Sequence, residues 1–480
     1  MRSTRDITSA AHPDRYNVLR RAIPLVSHVQ NVDELLSNGS TSLRRVAIEI
    51  ANRAIDAADP GKILRELLAF DGASLTVGQK KFELKAQNRI FVIGAGKASY
   101  PIAKALDEII GEQIHRGFVT CKQGQAGSLK HIELHHASHP IPDAASHLAA
   151  TRTRELLDDV RAGDLVIACF TGGSSALFVD PVSCISLEDK METNRLLLGS
   201  GANIIEINAV RKHLSRVKGG KLIQGLPANS RLINLTVSDV IGDHLDYITD
   251  PTVADTSTFA DAKATLEKYQ LWDALPRSVS AYLRESPLED ETPREAALVH
   301  IERFDFLLVK NDAACRAAAD AAQAMGYTPL ILSTLFEGES RELARFMAAI
   351  AKQALHDGSP LKPPCVLIGG GECTVRAMTG TGTGGPNQEF AVSFALEVAG
   401  LESIAALSID TDGTDGPTQI AGGLVDGTTA LQARRSGVNL YAHLSRHDVT
   451  PALHKLGAAV VTGATGTNVN DLRLIIIRAP

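Results

Sequence analysis

Arg89-Ile90-Phe91-Val92-Ile93-Gly94-Ala95-Gly96-Lys97-Ala98-Ser99 (RIFVIGAGKAS) is the stretch on which the fold turns. Its apolar run is continuous rather than alternating, which marks a strand covered on both faces. Similar runs recur at residues 117–120 (GFVT), 164–170 (DLVIACF), 231–237 (RLINLTV), 304–309 (FDFLLV), 330–332, 365–368 (CVLI), 404–409 (IAALSI), 458–461 and 472–477 (LRLIII). Helix-like segments separate many of them, including 313–325 and 340–356, and helical spacing also marks 42–58 and 62–69. Buried strands alternating with helices predict an α/β protein with mainly parallel sheets flanked by helices. The charged, proline-bearing stretch 276–297 reads as a linker between two α/β domains. Residues 1–40 read as a poorly ordered extension.

Composition narrows the classes. The chain has 480 residues, with 49 Lys+Arg against 55 Asp+Glu, a formal net charge of −6. No basic excess points to nucleic acid or to an anionic membrane. No run of about 18 apolar residues predicts a membrane span, and the N-terminus lacks the apolar core of a secretory signal. The six cysteines contain no CxxC pair and read as buried reduced thiols, which makes a cytoplasmic location the default expectation.

Glycine position says more than glycine number. Many of the strand-like runs end in loops rich in Gly, Ser or Asp: 94–99 (GAGKAS), 171–176 (TGGSSA), 238–243 (SDVIGD), 369–372 (GGGE), 410–417 (DTDGTDGP) and 462–471 (TGATGTNVND). In open α/β sheets, ligands bind beyond the carboxyl ends of strands. Glycine permits close backbone approach, and exposed N–H groups there hold anions. GAGKAS is not a Walker A loop, because Phe91 stands where its first glycine belongs and Ala98 follows the lysine. An NAD site needs an acidic residue at the end of the next strand, and Cys121-Lys122 is there, which counts against NAD, while Lys122 leaves a 2′-phosphate of NADP open.

Charged groups complete an inventory for phosphoryl transfer. Asn208, Arg211 and Ser215 fall at i, i+3 and i+7 and, if helical, share a face. Asp239, Asp243, Asp410, Asp412 and Asp415 are hard oxygen ligands for Mg²⁺ or bases for a hydroxyl. An EF-hand is excluded because its closing glutamate would be Ala421. His131, His135, His136 and His139 lack HExxH and read as surface or packing residues.

Taken together, GAGKAS, TGGSSAL, INAVRKHLSRVKGGKL, SDVIGD, GGGECTV, GGPNQEFA, DTDGTDGPT and TGATGTNVNDL resemble the glycerate 2-kinase family, whose C-terminal part is the MOFRL domain. Some members bear the older label hydroxypyruvate reductase. The resemblance spans about residues 43–478. It implies an N-terminal glycerate kinase domain over about 41–290 and a C-terminal domain over 298–480, with the MOFRL region near 364–475. It also implies an active site in the cleft between the domains, and transfer of the ATP γ-phosphoryl group to the 2-hydroxyl of D-glycerate with a divalent cation. By the same resemblance Lys97, Arg211 and Asp239 are the catalytic candidates, and Asp239 and Asp243 the metal candidates. Gly94, Gly96, Gly172, Gly173, Ser174, Ser175, Asn208, Lys218, Glu372, Asn387, Gln388, Glu389, Asp410, Asp412, Asp415 and Asn468 are the binding candidates. Two departures stand out. Pro386 replaces an arginine that many members carry before Asn-Gln-Glu, so that role is either absent or moved, Arg376 being the candidate. Thr249-Asp250-Pro251-Thr252 replaces Ser-Gly-Pro-Thr. Partners reduce to D-glycerate and ATP, with a homodimer as the one assembly considered. An NAD(P)H-dependent reductase and a non-catalytic phosphometabolite sensor are the rival readings.

Overall fold

The structure, a computed structural model, describes residues 27–125, 127–238, 251–375 and 382–479. The described chain divides into two compact units, residues 60–308 and residues 309–479 together with 27–59. Each is an α/β unit built on a six-stranded sheet.

In the first unit a small antiparallel sheet of β1 (Leu68–Phe70), β2 (Ser74–Val77) and β3 (Lys80–Glu83) precedes the main sheet. The main sheet contains β4 (Ile90–Ala95), β5 (Ile114–Lys122), β6 (Glu133–Ala137), β7 (Leu165–Phe170), β8 (Arg231–Val237) and β9 (Glu302–Val309), in the order β6-β5-β4-β7-β8-β9. β4 pairs in parallel with β5 and β7, β5 with β6, and β7 with β8. This is the doubly wound order, and it reverses between β4 and β7. Both of those strands are buried along their whole length, as their unbroken apolar runs predict.

The second unit carries β10 (Thr328–Phe336), β11 (Cys365–Gly371), β12 (Ile404–Asp410), β13 (Gly422–Asp426), β14 (Ala459–Val460) and β15 (Asp471–Ile477), in the order β10-β11-β15-β12-β13-β14. The α/β class holds here too, but only β10 and β11 pair in parallel; the other pairings are antiparallel. The physical reason is connectivity. The 411–421 loop returns β12 to β13 without a crossover helix, so the two strands must run in opposite directions. Continuous apolarity reports burial on both faces, not strand direction.

Three expectations about domain limits are corrected. Residues 27–40 pack onto the second unit: Val29 and Leu35 are buried, and the Gln30 N–H donates to the Val461 carbonyl at 2.8 Å. The stretch read as a linker contains the helix Arg277–Glu285, whose Val279, Tyr282 and Leu283 enter a helical core of the first unit. The units part instead at 308/309. The helix Thr41–Ala57, expected in the N-terminal domain, packs against β12 and β15 of the second unit. Residues 1–26 lie outside the described residues.

A buried ion pair holds that helix. Nε of Arg44 donates to Oδ2 of Asp426 at 2.7 Å, with both side chains fully buried. Nη1 of Arg44 donates to the Leu35 carbonyl at 2.9 Å, and the Ser40 N–H donates to Asp426 at 2.9 Å. Burial pushes the Asp426 carboxyl up, but the Arg44 guanidinium and the Thr428 hydroxyl outweigh it and hold the group below its usual range. Removing one member of such a pair strands the other in the core. Arg44→Ala is therefore expected to cost about 3–5 kcal/mol in the unfolding transition of the second unit, read by urea denaturation. The double variant with Asp426→Ala should recover part of it, and a loss under about 1 kcal/mol for the single change, within the range of an exposed pair, would contradict the role.

Candidate active site

Of the first unit's site candidates, Gly94, Gly96, Lys97 and the loop Gly172–Ser175 gather where the strand order reverses. There β4 runs so close to β7 that a Cβ added at Gly94 would overlap the Sγ of Cys169, and one added at Gly96 would overlap Oγ1 of Thr171. The Thr171 N–H donates to the Ala95 carbonyl at 3.1 Å. The N–H groups of Gly96, Lys97 and Ala98 donate in turn to the Thr120 carbonyl (3.2 Å), the Gly172 carbonyl (2.8 Å) and Oγ1 of Thr171 (3.1 Å). The glycines of GAGKAS are thus required by strand packing, and the amides after them are engaged within the fold. That loop positions Lys97 rather than offering a backbone anion cradle.

The neighbouring loop differs. Gly173 takes a left-handed conformation (φ +84°) and caps the single helical turn Ser174–Leu177. Among the described residues the N–H groups of Gly172 and Gly173 have no backbone acceptor. A Cβ added at Gly173 would stand 3.0 Å from Cγ of Lys97 and 3.3 Å from Nε2 of His139. Lys97, Gly173, Ser175 and His139 are half-buried, whereas Thr171, Gly172 and Ser174 are buried.

Arg211 and Asn208 lie on the helix Ile204–His213. Ser215 does not share their face as expected, because the helix stops at His213; the Ser215 hydroxyl instead receives the N–H groups of Val217 and Lys218. Burial pulls the Arg211 guanidinium below its usual range. Lys190 is buried beside it, with Nζ 3.4 Å from the Arg211 carbonyl. Burial first, then the charges of Arg211 and Lys221, pull the Lys190 ammonium down to about 7. Lys212 pairs with Asp255 at 2.7 Å, and the His213 ring bridges the Ala209 carbonyl and Glu291 at 2.6 Å each. Lys218 is buried. A desolvated cationic region of this kind favours an anion.

In the second unit several binding candidates turn out to brace the fold. The helix Pro386–Glu397 begins with the backbone N–H groups of Asn387 and Gln388 donating to the Asp415 carboxylate at 3.1 and 2.9 Å. Nδ2 of Asn387 donates to Asp471 at 2.6 Å, and the Ser408 hydroxyl donates to Oδ1 of Asn387. Glu389 is buried against His447, 2.6 Å away; burial raises its pKa, with His447 opposing. Asp410 accepts the N–H of Asp412, and Asp412 accepts from Thr414, so these carboxylates shape their own turn. Asn468 is buried and Glu372 exposed.

Asp239, Asp243, Asp250 and Arg376 lie outside the described residues. Among the described residues no group of three His, Cys, Asp or Glu side chains gathers to hold a metal ion, and no helix is long and apolar enough to cross a membrane. The cysteines are all unpaired, and only Cys184 is exposed, against the expectation of burial.

Sequence reasoning missed His139, Thr171 and Lys190. The signal for His139 was available. It lies two residues past β6, on the ligand side of a parallel sheet, but β6 (Glu-Leu-His-His-Ala) is too polar and half-exposed to read as a strand. Of the other cluster histidines, His131 faces Asp107, His135 the Ala145 carbonyl and His136 the Gln125 carbonyl, in packing roles.

Comparison with known proteins adds the lineage. Residues 46–284 match the family described as a domain of unknown function (DUF4147), and residues 365–471 match the MOFRL family. A protein of Pyrococcus horikoshii named glycerate 2-kinase is 39% identical, over 91% of this chain and 97% of its own. A protein of Agrobacterium vitis named putative hydroxypyruvate reductase is 42% identical, over 82% of this chain and 88% of its own. The crystal structure of a glycerate kinase from Thermotoga maritima superposes with a TM-score of 0.74 at 37% identity, covering 91% of this chain and all of that one.

The Asp415 carboxyl yields a test of the bracing role. Burial pushes it up to about 7 from 3.8, the Asn387 and Gln388 N–H groups opposing and Asp471 adding to the rise. A carboxyl with a raised folded pKa stabilises fully below its unfolded pKa and loses that contribution as pH rises through the folded value. Wild type should therefore lose stability relative to Asp415→Asn as pH climbs from about 4 to about 7, with the difference level above that. Unfolding free energies across this range check it, and a difference that does not change with pH would overturn it.

Proposed function

We propose that this chain, which belongs to the glycerate 2-kinase family, transfers the γ-phosphoryl group of ATP to the 2-hydroxyl of D-glycerate, giving 2-phosphoglycerate and ADP. The carrying observation is the meeting of Lys97 with the glycine–serine loop 172–175 at the strand-order switch point, in a chain alike over nine tenths of its length to a glycerate 2-kinase. Phosphoryl transfer asks the protein chiefly for positioning and charge neutralisation. Lys97 and Arg211 are the cations proposed to neutralise the transferring phosphate or the substrate carboxylate. In the step itself, the 2-hydroxyl oxygen bonds to the γ-phosphorus, the bond from that phosphorus to the bridging oxygen breaks, and ADP leaves. The hydroxyl proton passes to a base, for which Asp239 is the candidate; holding a metal with Asp243 is its alternative role. The described residues do not by themselves form a metal site, and no step here runs through one.

Two observations weigh against a nicotinamide reductase. Lys122, not a carboxylate, ends β5, which weighs against NAD but not against NADP, whose 2′-phosphate a lysine suits; and the Gly96–Ala98 amides that would face a pyrophosphate are engaged with β5 and the loop after β7.

Purified protein with ATP, Mg²⁺ and D-glycerate, coupled to enolase, is expected to give phosphoenolpyruvate at once, because enolase uses only the 2-phosphate. Phosphoglycerate without phosphoenolpyruvate would place transfer on the other hydroxyl. NAD(P)H oxidation with hydroxypyruvate and no ATP-dependent product would reverse the assignment, and binding without turnover would make the protein a sensor. In the same assay Lys97→Ala should lower kcat/KM by about a hundredfold, the scale of one lost transition-state donor. A change within about threefold, roughly 0.7 kcal/mol, would remove Lys97 from the mechanism.

A further inference from the structure

We propose that His139 is a third anion-contacting group of this site, donating an imidazole N–H to the same oxyanion that Lys97 and the Gly172-Gly173 amides receive. The proposal rests on the reading of the 172–175 loop as the place of phosphoryl transfer, and it goes beyond that reading by adding a side chain from a separate part of the fold.

The argument begins with topology. β6 lies two strands away from β4, roughly 10 Å at the usual strand spacing. For His139 to stand over Gly173, the chain after Ala137 must run back along the rim of the sheet, on the side where the β4 and β7 loops open. Both ends of that crossing are anchored. The Gln123 N–H donates to the Ala137 carbonyl at 3.0 Å. At the far end Asp143 caps the helix Ala144–Leu157, accepting the Ser146 N–H at 2.9 Å. His139 is thus delivered to the loop by a segment pinned on either side.

Gly173 records what this delivery achieves. A methyl group there would press on the Lys97 stem at 3.0 Å and on the imidazole at 3.3 Å, and φ +84° already disfavours a side chain. Glycine keeps open the gap between the two side chains. All three residues are half-buried, so a ligand can reach the gap. The residues that border it carry three kinds of donor: the ammonium of Lys97, the imidazole of His139 and the loop amides. Such a set recognises an oxyanion, either a phosphoryl group of ATP or the carboxylate of the acid substrate.

The test uses the full chain with His139→Ala and His139→Gln, the glutamine amide standing near the position of Nε2. Steady-state rates are taken over ATP and D-glycerate separately, isothermal titration gives the affinity for each, and thermal melting checks the fold. His139→Ala is expected to lose about tenfold or more in kcat/KM, the scale of one hydrogen bond to a charged group, and His139→Gln to recover part of it at an unchanged melting temperature. A loss centred on the ATP terms identifies a phosphoryl oxygen, and one centred on the glycerate terms a carboxylate. Both variants within about threefold of wild type in every term would overturn the proposal, as would equal losses accompanied by lowered melting, which mark a packing role. If wild type binds these ligands without turnover, the proposed reaction fails while titration still decides His139. If wild type binds neither ligand, both readings fall.

Discussion

The near-contact of β4 with β7 is the constraint from which the first unit's site follows. Two parallel strands in the middle of a doubly wound sheet must end side by side, and here their ends touch backbone to backbone through Gly94 against Cys169 and Gly96 against Thr171. Because Thr120, Gly172 and Thr171 take up the amides of Gly96, Lys97 and Ala98, Lys97 leaves the strand in a fixed position with its stem beside Gly173. The geometry of the lysine, the glycine–serine loop and His139 is therefore set by sheet packing before any ligand arrives. Preorganisation of this kind is what phosphoryl transfer asks of a protein, since donors already in place need not reorganise during the reaction.

The second unit solves a different problem with similar residue types. Its Asp, Asn and Gln motifs look like ligand-binding chemistry in sequence, yet Asp415, Asn387 and Asp471 hydrogen-bond one another around the start of the helix Pro386–Glu397. A helix start leaves N–H groups without partners, and a buried carboxylate is a strong acceptor for them. Burial pushes that carboxylate toward neutrality while the donors resist, so the network holds the helix and the 411–421 loop together at a cost in desolvation. Motif residues can thus be fixed by the need to satisfy buried backbone as much as by a ligand.

Strand existence was legible where burial was complete and large apolar side chains filled the run. IFVIGA and LVIACF announce themselves because both faces of β4 and β7 are covered. β6 was illegible for the converse reason: at the sheet edge its residues are half-exposed and polar, and an edge strand needs no apolar run. β13 (Gly-Gly-Leu-Val-Asp) was hidden by its glycines: Gly422 lies against the β12 backbone at Ser408, and a Cβ at Gly423 would press on Ala391 of the helix Pro386–Glu397. The candidate linker failed because its prolines, Pro276, Pro287 and Pro293, flank the helix Arg277–Glu285 rather than interrupt it, while Val279, Tyr282 and Leu283 of that helix are core.

By itself, the sequence determined the α/β class, the buried strands of both sheets, and a row of loops at strand ends in which Lys97 and Gly172–Ser175 were already marked. These are local properties, written in runs of neighbouring residues. Tertiary structure alone decided which loops meet, which way the strands of the second sheet run, and that the helix Thr41–Ala57 belongs with residues such as Asp426, 382 positions beyond its Arg44. It also decided which polar residues are taken up by a helix start. The reason is physical: a hydrogen bond such as Asn387 to Asp471, or an approach such as His139 to Gly173, depends on distance in space, and distance along the chain carries no record of it.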